Sequence, residues 1–187
     1  MIPMAIGLGI LVVVILAFVG MYNGLVRGRN ETKNAWAQID VQLKRRHDLI
    51  PNLVETAKGY MTHERETFDS IAKARSAAVA AGAGGSVATT AQAEGALSGL
   101  LTRFMAVAEN YPELKANTNF LALQEELAST ENKISFARQY YNDAVLKYNT
   151  SCQTIPTNIV AGMGGFTICE FFELKDEAER AVPQVKF

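Results

Sequence analysis

The chain is expected to be all-α: an N-terminal transmembrane helix continuing into a long antiparallel bundle of three long helices and a short C-terminal one. Three observations carry that expectation. The stretch Met1 to Val26 holds no charge, so all 18 Lys+Arg and 19 Asp+Glu lie beyond it. Seven-residue apolar repeats run through two later stretches, as in helices that pack along their length. Runs of Val, Ile and Thr of strand length are scarce outside the first stretch, and five prolines interrupt 187 residues.

The apolar run comes first. Ile2 to Tyr22 is uncharged, and a helix of that length spans roughly 30 Å, the thickness of a bilayer core. A cleaved signal would need a basic residue before the run and a small-x-small site after it, and neither is present. Residues 1–26 are therefore read as an anchor and 27–187 as a helical-bundle soluble domain. Arg27, Arg29 and Lys33 follow the span closely and no basic residue precedes it. The positive-inside rule then places the N-terminus outside and the C-terminal domain in the cytoplasm. Tyr22 falls at the interface. The three basic residues suit anionic lipid headgroups, each contact worth about 1 kcal/mol. Gly20, Gly24 and Gly28 share one helix face at the membrane exit, a spacing that lets two backbones approach and suggests a homo-oligomer. The same glycines equally suit a loosened junction between anchor and domain.

Helix A is expected over 31–80. Trp36, Leu43, Ile50 and Ala57 repeat every seven residues, with Ile39, Leu53 and Tyr60 three positions later. Arg46 occupies an apolar slot of that stripe, so it either snorkels out or meets a buried acid. Pro51 should kink the helix near His47 without ending it. Beyond the kink Met61, Phe68, Ile71 and Val79 continue at helical spacing, and from Arg27 to Ala80 the helix would reach roughly 80 Å. The stretch from Gly82 to Ser86 then reads as a loop. Helix B, over 91–110, sets Leu97, Leu100, Leu101, Phe104, Val107, Ala108 and Tyr111 on one face, and Tyr111-Pro112 marks a turn. Helix C, over 113–150, has the clearest period: Phe120, Leu127, Ile134, Tyr141 and Tyr148, with Leu123, Thr130, Ala137 and Ala144 between. Its partner is helix A, antiparallel within the chain, or a second copy. After Pro156, Thr157 or Asn158 can cap a short helix. Phe166, Phe171 and Phe172 follow in an apolar cluster that docks on the bundle or, alternatively, receives a partner. The acidic run from Glu170 to Glu179 reads as solvated surface.

A net charge of -1 argues against a nucleic-acid-binding protein. Charge is nevertheless segregated: 27–46 is basic and 109–131 acidic, which suits packing between helices A and C or a basic collar on anionic lipid. No catalytic, cofactor-binding or metal-binding constellation emerges. His63-Glu64 lacks the second histidine of a zinc helix, and His47 and His63 read as surface residues. Cys152 and Cys169 fit no zinc spacing and read as unpaired thiols, a disulfide being the alternative.

Several stretches resemble the LemA family: Tyr22-Asn-Gly-Leu-Val-Arg-Gly-Arg-Asn30, Ala35-Trp-Ala-Gln-Ile-Asp-Val-Gln-Leu-Lys-Arg-Arg46, Asp48-Leu-Ile-Pro-Asn-Leu-Val54, Tyr111-Pro-Glu-Leu-Lys-Ala-Asn117, Tyr148-Asn149 and Phe171-Phe-Glu173. Ile155-Pro-Thr-Asn158 departs mildly from the family's Phe-Pro-Ser-Asn. The resemblance implies a bacterial membrane protein with one N-terminal span and a soluble bundle, and it supplies no catalytic residues. One branch of the family is associated with magnetosome membrane formation, which implies membrane organisation. The expected function is a non-enzymatic, single-pass scaffold at the bacterial inner membrane that self-associates and organises membrane or lipid, with no cofactor. The alternative is a tethered adaptor that recruits a partner protein through the C-terminal apolar and acidic segment.

Overall fold

The computed structural model describes residues 2–173. It contains α1 (Ile2–Lys58), α2 (Arg65–Gly84), α3 (Val87–Ala108), α4 (Pro112–Lys115), α5 (Thr118–Gln153) and α6 (Thr157–Gly164), with no strand among the described residues. The expected all-α architecture is the one observed. The described chain divides into two compact units, one of residues 2–38 with 137–170 and the other of 39–136 with 171–173.

The first unit begins as a bare apolar helix. The described large apolar side chains of α1 from Ile2 to Val19 are exposed, and this part of α1 is long and apolar enough to cross a membrane. Packing starts at Met21, and Leu25 is fully buried with Tyr148, Val160, Ala161 and Phe166. The last turns of the uncharged run are thus covered by protein. Here α1 and α5 run antiparallel: Gly28 lies under Tyr148 and Trp36 meets Tyr141 edge-on, their ring centroids 5.4 Å apart.

The chain after α6 is held along α5 by backbone hydrogen bonds from side chains. Tyr148 Oη donates to Thr167 O at 3.0 Å and Tyr141 Oη to Glu170 O at 2.9 Å. Asn149 donates through Nδ2 to Cys169 O and accepts from Cys169 N through Oδ1, each at 2.9 Å, as one strand residue would pair with another. An extended segment has no backbone partners of its own, and these contacts replace them. Burial first, and then the neighbouring Cys169 and Glu170, push the Tyr141 hydroxyl up to about 12.

Two glycines shape the end of α6. Gly165 is left-handed, with φ +66°, and Phe166 N–H closes on Ala161 O at 3.0 Å, the backbone pattern of a Schellman stop. A Cβ on Gly164 would lie 2.6 Å from the Phe166 ring, so the bare glycine lets that ring fold back over the helix end. The start of α6 differs from expectation. Pro156 is the N-cap, Thr157 is already helical, and neither Thr157 nor Asn158 caps with its side chain.

In the second unit Ile50, Leu53, Ala57 and Met61 pack with Phe68 and Ile71 of α2, Leu97, Leu101 and Phe104 of α3, and Phe120 and Leu127 of α5. Pro51 sits inside α1. It has no N–H to give the carbonyl four residues back, and Arg75 Nε donates to that oxygen, His47 O, at 2.6 Å. The helix passes through its proline because a neighbouring helix fills the vacancy.

Helix A does not continue to Ala80. It ends at Lys58 and α2 begins at Arg65, with Met61 N–H bonded to Ala57 O across the turn. Met61, not Tyr60, enters the core, and Tyr60 Oη instead accepts from Asn117 Nδ2 at 2.9 Å. The expected Gly82–Ser86 loop is shorter than its glycines suggest, since α2 runs through Gly84. Gly85 makes the break: a Cβ there would stand 2.5 Å from Ala81 O, and Ser86 then caps α3 by accepting from Thr89 N. The region expected as one helix C is α4 and α5. Asn117 separates them and caps α5, accepting from Phe120 N at 3.0 Å. The α5 repeat is buried as expected from Phe120 to Tyr148, every seventh residue.

Candidate functional site

The first unit carries a cavity of about 420 Å³ where α1 leaves its apolar run. Met21, Gly24, Leu25, Arg27, Gly28 and Glu31 of α1 face Lys147, Tyr148 and Ser151 of α5 and Thr157 of α6 across it. Gly24 leaves space that a side chain would fill, while Tyr148 packs against Gly28. Its polar rim holds two cations and one acid, Lys147 Nζ standing 3.6 Å from Glu31. The exposed pairing is weak and yields readily to another anion. The Tyr148 pKa is raised by burial first and then by Cys152, so this residue of the wall is a neutral phenol.

The residues singled out in the sequence fall here unevenly. Arg27 lines the cavity and Lys33 is exposed, whereas the Arg29 guanidinium lies over the Phe166 ring, 5.0 Å from its centroid. Gly20 and Gly24 are open: a Cβ on either would meet nothing within 4 Å. Gly28 is different, because its absent side chain is replaced by Tyr148, whose Cδ2 would be 3.1 Å from a Cβ. Phe166 and Phe172 are buried in the fold and Phe171 is partly exposed, so docking within the chain accounts for two of the three. Cys152 and Cys169 are free thiols, both half-buried. Residues 174–179 of the acidic run lie outside the described residues.

The second unit contains a buried polar cluster. Arg46, 2% exposed, donates to the Glu94 carboxylate, to Ser98 Oγ at 2.7 Å and to Glu131 at 2.8 Å. His47 Nε2 lies 2.9 Å from Glu94 Oε1. Of the two expectations for Arg46, the buried acid is the observed one. His47 is not the surface residue it was read as; Glu94 holds it inside, while His63 is exposed. Burial raises the Glu94 pKa, but the His47 hydrogen bond and the Arg46 charge outweigh it, and the carboxyl lies below its ordinary value. With its charges spent on each other, the cluster offers a substrate no free polar group of Glu94 or Arg46 Nη2. Arg45–Glu126 and Arg46–Glu131 also join the basic part of α1 to the acidic part of α5, as the charge segregation suggests.

Sequence reasoning passed over Glu94, although it stands in the apolar stripe of α3, three residues before Leu97 and seven before Leu101. It also passed over Lys147 and Tyr148 as partners of the end of the apolar run. Their signal was the polar, charge-poor end of an otherwise charged helix.

Comparison with known proteins agrees with this architecture. A family model described as LemA family matches residues 35–187. The protein LemA of Metamycoplasma hominis is 30% identical over 146 residues, covering 77% of this chain and 65% of that one. Magnetosome protein MamQ 2 of Paramagnetospirillum magneticum is 25% identical over 184 residues, covering 86% of this chain and 68% of its own. Magnetosome protein MamQ of Magnetospirillum gryphiswaldense is 23% identical over 212 residues, covering 98% and 78%. With the match spanning most of the chain, the protein belongs to the LemA family.

Proposed function

We propose that the protein is a non-enzymatic scaffold that crosses the bacterial inner membrane once through α1 and self-associates there, with the bundle in the cytoplasm. The observation that carries this reading is the open position at Gly20, with Gly24 one turn on opening beside the cavity, on a helix whose apolar segment is unburied among the described residues. Two copies meeting on that face bring backbones close enough for dispersion contacts that lipid cannot match. Gly28 belongs to the fold of each copy rather than to the contact between them. The likeness to proteins named for the magnetosome, in a family one branch of which is associated with magnetosome membrane formation, supports a role in organising membrane. The cavity with Arg27 and Lys147 suits the phosphate of an anionic lipid drawn to the same place.

Cysteine placed at Gly20 or Gly24, in a chain with Cys152→Ser and Cys169→Ser, tests the contact in native membranes. Oxidation should give a crosslinked dimer from either position and none from Leu11→Cys or Ile15→Cys, which lie on the opposite face of the helix. Equal crosslinking from all positions, or none from any, would refute the glycine face.

A further inference from the structure

We infer that α6 is a second membrane contact: its outer face lies in the bilayer interface beside the point where α1 leaves the membrane. Ile159 and Met163, four residues apart on α6, are 61% and 74% exposed, and Ile155 in the turn just before the helix is 78% exposed. The opposite face, Val160 and Ala161, is buried against Leu25 of α1. One short helix thus has apolar side chains on both sides, and the fold covers only one of them.

What covers the other is indicated by where α6 is held. From Ile2 to Gly20, α1 rises about 28 Å, close to the thickness of the hydrocarbon core. The boundary therefore falls at Met21 and Tyr22, and α6 is pinned at that level. Tyr22 meets Phe166 edge-on with ring centroids 5.4 Å apart, and Gly164 lies close to the Tyr22 ring. The chemistry of the segment agrees. No charged residue occurs between Lys147 and Glu170, whereas a helix facing water ordinarily carries charge on its outer side. A helix with this outer face at the membrane surface buries it among headgroups and the first acyl carbons.

This inference rests on α1 spanning the membrane, and its test reports on both. Full-length native protein is reconstituted with a lipid carrying a photoactivatable group high on its acyl chain, and adducts are mapped. Adducts are expected within 155–168 as well as within α1. Adducts on α1 alone would overturn the inference while leaving the anchor intact; adducts on neither would remove the anchor too. A second readout uses Ile159→Trp and Met163→Trp in a Trp36→Phe chain, with brominated lipid as quencher. Native Trp36, about 16 Å beyond Leu25 along α1, is the unquenched control. Quenching of both introduced tryptophans, several-fold above Trp36, is expected. Emission typical of water, or blue emission without quenching because another protein surface covers the face, would overturn it. So would quenching in the tryptophan variants without native adducts, since tryptophan itself then drives the contact.

Discussion

Replacing Arg46 with methionine probes the centre of the second unit. The native guanidinium is fully enclosed and bonds Glu94, Glu131 and Ser98. Removing one member of a buried ion pair costs about 3–5 kcal/mol, because the other charge is left dry. Two features place Arg46→Met at the lower end of that range. Glu94 keeps His47 as a partner, and the Glu131 side chain is 38% exposed and recovers water. A loss of about 3 kcal/mol follows, and in a chain of this size it lowers Tm by about 6–12 °C. The assay is thermal unfolding of the full-length protein in mild detergent, followed by circular dichroism. Arg46→Met/Glu94→Leu removes both charges together and should lose markedly less than the two single variants summed, since no buried charge remains. A single-variant loss under about 1 kcal/mol, or strict additivity in the pair, would refute the argument that Glu94 depends on Arg46.

Further predictions follow from the same contacts. The folded Glu94 carboxyl titrates below its ordinary 4.5, so its stabilisation is complete above that value and is lost as pH falls below it; melts from pH 7 to 3 should show that slope, flattened in Glu94→Gln. Arg75→Leu leaves the His47 carbonyl at Pro51 unpaired and should cost about 1–3 kcal/mol, which the same melts measure, whereas an unchanged Tm would mean that water replaces the guanidinium. Gly164→Ala forces the Phe166 ring aside and should cost about 1–3 kcal/mol, read by melting and by faster hydrogen exchange at residues 165–170. Arg27→Gln with Lys147→Gln should reduce the anionic lipid that co-purifies with the protein, measured by lipid mass spectrometry against neutral lipid as internal reference.

Much of this fold is legible along the chain. The α5 repeat predicts its own buried face because a seven-residue period and a helix-long partner are the same statement. Arg46 in an apolar slot announces an acid, but which acid depends on the pairing of α1 with α3. Glu94 is hidden by standing among Leu97, Leu101 and Phe104, where a carboxylate is tolerated only because Arg46 and His47 face it. Counting by sevens also concealed the turn after Lys58. Tyr60 keeps the register on paper, yet the chain turns there so that Met61 fills the core. The glycines of 82–85 mislead in the opposite direction. In an alanine-rich run the helix absorbs Gly82 and Gly84, and it stops where Ala81 O leaves no space for a Cβ. At the membrane exit, three equally spaced glycines look alike in sequence; only tertiary packing separates Gly28, which seats Tyr148, from the open Gly20 and Gly24.

The central claim is that copies of this chain assemble through the anchor. The mass of the full-length protein in mild detergent, with the detergent contribution subtracted, tests it most directly. The account predicts a defined multiple of 20.4 kDa that falls toward a single chain in Gly20→Leu, whose position meets no other part of the described chain. A native protein that remains at 20.4 kDa across the accessible concentration range would contradict it.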